Sequence, residues 1–346
     1  MKNTQKNHSV LEVLEGNGLK VAVLTSISKS ENTKEVENNL LGMAKSVSRA
    51  LIENGYEVIV VNADDKMISV LKKEKPHIVF NLAERFNGKQ GYEHHVAALL
   101  EMQEIPFTGS GPAALINCND KIRAKELMEY YGISTPKFQV FETGKEKLRE
   151  DLKFPLIVKP SNTHDSIGIH EDSVVYSEKD MKKKVEHIVN EMSQRAIVEE
   201  YIEGKEYHVA VLGNRKLYTL PIAEADTSRS ASKILSYEMK WNIDWYKEAP
   251  IICPVSLPKH VERALIDTAI KAHRKLGVND YSRVDLRLDR NNIPYVLEVN
   301  ANPGLTEDCF IFHAAAVAGI KYSALIGRIL EHAAERHNIP ILVAAK

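Results

Sequence analysis

The chain has 346 residues, 44% hydrophobic and 27% charged, with 46 Lys and Arg against 47 Asp and Glu. This composition excludes a disordered chain, and a formal charge of −1 excludes a global electrostatic pull toward nucleic acid or an anionic membrane. Any anionic ligand must be held by local groups.

Cys118, Cys253 and Cys309 are too few and too scattered for a disulfide framework or a thiolate metal centre, which fits a reducing interior. The opening segment MKNTQKNHSVLEVLEGNG lacks the apolar stretch of a signal peptide, and no run reaches membrane-spanning length. A cytoplasmic protein of two or three domains is expected.

In chain order, LKVAVLT (19–25), EVIVVN (57–62) and HIVFNL (77–82) predict short buried strands. Between the first two, Leu40, Leu41, Ala44, Val47, Ala50 and Leu51 recur at helical spacing, and Gly55 supplies a C-terminal cap. Strand, helix and strand with short links predict a parallel, Rossmann-like opening domain. GYEHHVAALLEMQ and CNDKIRAKELMEYYG read as further helices, the second capped by Asn119 or Asp120, and FTGSGPAA (107–114) between them marks a first boundary. FPLIVKPS is a strand ending at Lys159-Pro160, SEKDMKKKVEHIVNEMS an amphipathic helix, and 195–225 mostly strand with a turn at Gly213-Asn214. A second boundary falls near residue 200. A loop-like stretch (225–256) precedes a helix over 258–276, a hairpin over 281–300 and two closing helices. The domains expected are 1–110, 111–200 and 201–346.

The hairpin YSRVDLRLDRNNIPYVLEV carries the chemistry. A two-residue turn at Asn291-Asn292 makes paired positions sum to 583, so that Val284 faces Val299, Leu286 faces Leu297 and Leu288 faces Tyr295 on the apolar face. The other face sets Asp285 against Glu298 and Arg283 against Asn300. Opposed carboxylates about 5 Å apart repel, so one is protonated or a cation lies between them. With Asn300 the cluster is all oxygen and suits Mg²⁺. The competing reading is a solvated strand face on which Arg283 and Arg287 neutralise the acids.

No P-loop is present, so the charge of a triphosphate must be met by separate lysines. Lys121 at a helix start and Lys159 at a strand end are placed for it. VEEYIEG (198–204) has the form of a crossover between domains, where backbone could read an adenine edge while Glu199, Glu200 or Glu206 binds ribose hydroxyls.

The ordered set Asp120-Lys121, FPLIVKPS, VEEYIEGKEYHVAVL, SRVDLRLD and VLEVNANPGLT resembles the ATP-grasp superfamily, in its D-alanine–D-alanine ligase-like branch. IPFTGSG, YEMKW and AAAVAGIKYSALIGRIL match that branch too, over residues 75 to 335. The resemblance implies an α/β fold of three domains: a Rossmann-like N-terminal substrate domain, a central domain with a lid, and a C-terminal domain with the metal and catalytic residues. ATP lies between the second and third. It implies that Lys121 and Lys159 contact the phosphates, that Glu199, Glu200, Tyr201 and Ile202 form the nucleobase segment, and that Glu206 binds ribose. Lys240 would approach the γ-phosphate. Asp285, Glu298 and Asn300 would hold two Mg²⁺ ions, with Mn²⁺ as an alternative. Arg283 would stabilise an acyl phosphate, Gly304 would meet the substrate carboxyl region, and in the lid 161–170 the substrate-facing serine position falls on Asp165, with Ser166 retained beside it as a catalytic candidate. The implied reaction phosphorylates a carboxylate with ATP and lets an amine displace the phosphate, joining small amino-acid-like substrates in a homodimer that needs neither nucleic acid nor membrane.

Several substrate positions depart from the family pattern. The glycine pair after the first strand is missing, the expected Glu falls on Thr33, and Asp165, Trp241 and Cys309 replace the usual Ser, Tyr and Ser. A changed acid or amine is therefore expected; a true D-alanine–D-alanine ligase and a catalytically silent ATP-binding protein are the alternatives. Glu84 and Glu93 are either amine ligands or exposed charges. His94-His95 reads as a helix-surface pair, and Cys309 as a small pocket-lining residue rather than a nucleophile.

Overall fold

A computed structural model describes residues 10–14, 19–27, 34–163, 166–228, 230–241 and 250–340; for 10–14, 34–38, 240 and 241 the description covers the backbone alone. Three sheets organise the chain. The first contains β1 (Val10–Leu14), β2 (Lys20–Thr25), β3 (Glu57–Asn62) and β4 (Ile78–Asn81) in the order β1-β3-β2-β4. β2 pairs parallel with both β3 and β4, across the crossover helices α1 (Lys34–Glu53) and α2 (Met67–Glu74). β1 joins antiparallel to β3, a strand that its mixed composition hid. Both faces of β2 are covered, as a parallel sheet requires: Val21 and Val23 pack in one buried cluster, Ala22 and Leu24 in another.

A short ribbon, β5 (Arg85–Phe86) with β6 (Lys89–Gln90), leads into α3 (Glu93–Met102), α4 (Pro112–Asn119) and α5 (Lys121–Tyr130). α4 occupies part of the stretch read as a linker, with Pro112 in its first turn, where a missing N–H costs nothing. Asp120 is the N-cap of α5, its carboxylate accepting from the N–H groups of Ile122 and Arg123. The second sheet, in the order β7-β10-β8-β9, contains β7 (Phe138–Phe141), β8 (Leu156–Pro160), β9 (Val174–Val175) and β10 (Ala196–Glu200), and its own apolar cluster holds α6 (Glu178–Asn190).

The third sheet runs β14-β13-β11-β15-β16, with β12 beside β11. Its strands are β11 (Glu206–Leu212), β12 (Tyr218–Thr219), β13 (Ala223–Ala225), β14 (Ile251–Ile252), β15 (Tyr281–Leu288) and β16 (Pro294–Asn300). The helices here are α7 (Tyr237–Trp241), α8 (Lys259–Lys275), α9 (Phe310–Val317) and α10 (Tyr322–Arg336); α7 and β13–β14 lie in or at the edge of the stretch read as loop. Tyr207, Val209, Val284, Leu286, Val296 and Val299 face α8 in the same cluster as Ala22 and Leu24. The first and third sheets thus share continuous apolar cores. Among the described residues no single helix is long and apolar enough to cross a membrane, and α9 and α10 pass that test only as a pair bent by 107°.

Asp280 pins these sheets together. Fully buried and at φ 63°, it accepts from the Gly109 N–H at 2.7 Å, from Asn214 Nδ2 at 2.9 Å and from Arg336 Nη2 at 2.9 Å.

The hairpin corrects the expected register in an instructive way. Asp289 and Ile293 exchange a backbone bond around Arg290, Asn291 and a left-handed Asn292, so the turn has one residue more than expected. Leu288 therefore pairs with Pro294 and Leu286 with Val296, not with Tyr295 and Leu297. A bulge between Asp285 and Leu286 absorbs the extra residue and restores Val284 to Val299, Asp285 to Glu298 and Arg283 to Asn300. Leu297 leaves the apolar ladder and turns to the face that carries Glu298.

The crossover from β10 to β11 rests on the end of this hairpin. A Cβ built on Gly204 would lie 2.0 Å from the Leu288 carbonyl oxygen. Gly204→Ala is expected to lower stability by about 2 kcal/mol or more, read as a drop in the urea midpoint at unchanged slope.

Candidate active site

One cavity lies between the second and third sheets and has two unlike ends. Ile157, Ile169, Tyr201, Ile202, Ile234 and Leu297 line one end, and Lys121, Lys159, Arg283, Asp285 and Glu298 line the other. An apolar slot continuous with a cluster of fixed charges matches a nucleobase joined to a polyphosphate. Leu297 joins the cavity lining because of the bulge.

The charged end is a grid set by strand pairing. Directly opposed across three strands stand His208, Asp285 and Glu298, and in the next row on the same face Ala210, Arg283 and Asn300. Arg283 grips Asp285 with two bonds, Nε to Oδ1 at 2.7 Å and Nη2 to Oδ2 at 2.8 Å. His208 Nδ1 is 2.8 Å from the same Oδ1. Burial pushes the Asp285 carboxyl up, but Arg283 and His208 outweigh it and hold the group well below the ordinary carboxylate range. The expected solution to the Asp285–Glu298 repulsion was a proton or a cation. Here Asn300 Nδ2 bridges them, 3.0 Å from Asp285 Oδ2 and 3.3 Å from Glu298 Oε1, while Arg283 neutralises Asp285. The face is only partly solvated: Asp285 and Arg287 are each 3% exposed, whereas the Glu298 side chain is 31% exposed. Since one Asn300 atom is in bonding reach of both carboxylates, turning that amide offers its oxygen beside theirs. This donor set fits a hard divalent cation.

The lysines arrive from two other elements. Lys121, at the first position of α5, contacts the Thr163 carbonyl at the base of the lid segment and lies 3.8 Å from Glu298 Oε2. Lys159 Nζ is 3.2 Å from Glu199 Oε1, and Lys125 Nζ is 3.0 Å from the other oxygen. Glu199 lines the cavity with each carboxylate oxygen engaged by a lysine. Burial alone would raise its pKa, but the two ammonium groups hold it down. Lys125, which sequence reading passed over, is fully buried; its Nζ also reaches Thr135 Oγ1 at 2.7 Å, and that hydroxyl donates to the Val296 carbonyl at 2.8 Å.

Arg287 braces the apolar end. It meets Glu206 Oε2 at 3.2 Å and the carbonyls of Ile202 and Lys233 at 3.2 and 2.6 Å, and covers the Tyr201 ring at 5.3 Å. Glu200 contributes to the lining while its Oε2 accepts from the Lys137 N–H at 3.4 Å. Ser166, at φ 57°, donates to the Leu235 carbonyl at 2.8 Å. This ties the lid to the segment before α7.

Asn300 and Gly304 lie outside the cavity lining, and Gly304 is exposed. The side chain of Lys240, the side chain of Trp241, and Thr33 and Asp165 fall outside the described residues. Glu93 is buried and in contact with the Asn119 amide, so it is not an exposed charge; burial raises its pKa. Glu84 is half-buried. Cys309 is the N-cap of α9, accepting the Phe312 N–H at 3.4 Å, and does not line the cavity. Burial pushes its thiol up to about 11. The His94 and His95 rings are tilted against each other with centroids 4.0 Å apart, and among the described residues no group of three or more His, Cys, Asp or Glu forms a metal centre. The candidate cation set has two carboxylates, and its third donor is an amide.

Comparison with known proteins agrees with this architecture. Residues 127–331 match the family described as D-ala D-ala ligase C-terminus. An uncharacterised Sinorhizobium fredii protein, y4sG, is 36% identical over 303 residues, 85% of this chain and 88% of that one. The D-alanine–D-alanine ligase of Carboxydothermus hydrogenoformans is 31% identical over 321 residues, 90% of this chain and 97% of that one. Among solved structures, the Bacillus anthracis D-alanine–D-alanine ligase complexed with ATP aligns with a TM-score of 0.72 at 24% identity, covering 92% and 99% of the two chains. The VanG D-Ala:D-Ser ligase of Enterococcus faecalis aligns with a TM-score of 0.74 at 21% identity, covering 92% and 100%; at these identities the likeness is one of fold.

Three sheets, with the cavity held between the second and the third, place the chain in the ATP-grasp class. Within that class the chain belongs to the D-alanine–D-alanine ligase family, and it is an ATP-dependent carboxylate–amine ligase that forms a peptide bond.

Removing one member of a buried charge cluster loosens the rest. Lys125→Met is expected to cost roughly 3 kcal/mol, measured by urea denaturation, and to raise KM for ATP because Glu199, the partner that positions Lys159, loses its second anchor.

Proposed function

We propose that the chain joins two small amino-acid-like substrates other than a pair of D-alanines, in a cytoplasmic homodimer, with Mg²⁺ at Asp285, Glu298 and Asn300. The observation that carries the reading is the junction of an apolar slot with the Lys121, Lys159, Arg283, Asp285 and Glu298 cluster. Nucleobase binding falls to the segment Glu199 to Ile202, with Glu206 at the ribose and Lys121 and Lys159 at the phosphates.

Transfer of the γ-phosphoryl group to a carboxylate brings anions together, so the lysines and Arg283 reduce that repulsion by fixed charge. Bound Mg²⁺ supplies further charge stabilisation at the phosphate oxygens. Arg283, held flat by Asp285 and lying 5.7 Å from the Phe310 ring centroid, presents its guanidinium to the acyl phosphate and to the tetrahedral centre left by amine attack. Loss of phosphate then yields the amide, ADP and phosphate. The lid segment 161–170, latched to Leu235 through Ser166, protects the acyl phosphate from water. A changed substrate pair is suggested by the departures of the sequence from the family pattern at Thr33, Asp165 and Trp241.

The test is ATP-dependent phosphate release across pairs of amino acids and small peptides. The best pair is expected to exceed D-alanine alone by about tenfold or more; D-alanine alone giving the highest rate would reverse the substrate assignment. In the active assay, Arg283→Met is expected to lower kcat by about a hundredfold or more, and Asp285→Asn with Glu298→Gln to abolish turnover. Wild-type rates in these variants would overturn the site assignment.

A further inference from the structure

We propose that His208 is a positioning residue for the cation site. With Arg283 it occupies Oδ1 of Asp285, leaving Oδ2 turned toward Glu298 and Asn300. The proposal rests on the reading above that Asp285 binds a divalent cation.

His208 sits in β11 directly across from Asp285, which in turn faces Glu298 in β16. On the opposite face of β11, Tyr207, Val209 and Val211 enter the apolar core. His208 thus belongs to the functional face by strand alternation, and it is 2% exposed. Asp285 is ionised and can only accept, so Nδ1 of His208 carries the proton and donates. The other ring nitrogen is buried and has no hydrogen-bond partner among the described residues. A buried polar atom left unsatisfied is unfavourable, and an aliphatic residue would fill the same space without it. The compensation lies at Nδ1. The Phe310 ring lies 3.9 Å from the imidazole, centroid to centroid and 34° from parallel, and so holds its orientation.

The consequence concerns which oxygen faces the cation site. Oδ1 receives both His208 Nδ1 at 2.8 Å and Arg283 Nε at 2.7 Å. Oδ2 receives Arg283 Nη2 and Asn300 Nδ2, and it is the oxygen on the Glu298 side. Without His208 the carboxylate keeps Arg283 and Asn300, but Oδ1 is left with the Arg283 Nε bond alone and the group is less firmly oriented. Outer partners of a metal-binding carboxylate act in this manner.

Mn²⁺ binding to the full-length protein in the presence of ADP, followed by electron paramagnetic resonance, tests the proposal without turnover. His208→Leu is expected to weaken Mn²⁺ binding by about tenfold or more while metal-free ADP affinity stays within about twofold. His208→Asn, whose amide nitrogen takes the place of Nδ1, is expected to recover most of the loss, and His208→Gln, whose nitrogen matches Nε2, is not. A folded His208→Leu with wild-type Mn²⁺ affinity would overturn the proposal. If that variant does not fold, equal affinities in the Asn and Gln variants would do so. Asp285→Asn runs in parallel. If it too keeps wild-type Mn²⁺ affinity, the cation reading itself fails; if it loses affinity while His208→Leu does not, only the role of His208 fails.

Discussion

The pairing of β15 between β11 and β16 is the constraint on which the site depends. Along β15 the side chains on one face read Arg283, Asp285 and Arg287, a plus-minus-plus sequence imposed by the two-residue period of a strand. Each meets a partner dictated by register: Asn300 and Glu298 on one side, His208 and Glu206 on the other. A one-residue slip would turn these groups into the apolar core and bring Val284 and Leu286 into the cavity. The core residues opposite α8 and the charges opposite the second sheet therefore hold the same register from two faces.

The site concentrates charge that a core would not tolerate alone. Burying an ion is costly unless it is paired, and each one here has at least one counter-charge in reach. Glu199 stands between Lys125 and Lys159, Arg287 rests on Glu206 and two carbonyls, and Asp285 lies between Arg283 and His208. Such pairs add little to stability compared with apolar replacements, but they hold side chains in single orientations. The Lys125–Glu199–Lys159 row ties α5 to two strands of the second sheet, and Thr135 carries the same chain of contacts to β16 through the Val296 carbonyl.

Much of this could be read from residues alone. The three parallel strands, the long amphipathic helices and the closing hairpin carry strong periodicities, and the Asp285–Glu298 pairing was deduced correctly. It was deduced through two deviations that cancel: a turn longer by one residue and a bulge that takes that residue up. Periodicity detects neither, since turn type at Asn291-Asn292 depends on a left-handed Asn292 and the bulge on contacts across the sheet. β1 and α4 were hidden by short length and neutral patterning. His208 and Lys125 escaped because a histidine in a strand and a lysine in a helix read as ordinary surface residues. Only the strand order β13-β11-β15 and the approach of α5 to β10 make them neighbours of the carboxylates. Alternation along β11 puts His208 on the face of Glu206, but only the pairing of β11 with β15 sets it against Asp285.

The resting arrangement also bears on how the site would work. Asn300 Nδ2 and Arg283 Nη2 share Oδ2 of Asp285, so a divalent cation at that oxygen competes with both. On the proposed reading Asp285, Glu298 and the Asn300 amide oxygen would hold that cation, whose charge would offset that of the phosphates. Arg283 would keep its Nε bond to Oδ1, the oxygen that His208 also holds, so the guanidinium would stay oriented beside the carboxylate while its remaining hydrogens faced a developing negative charge.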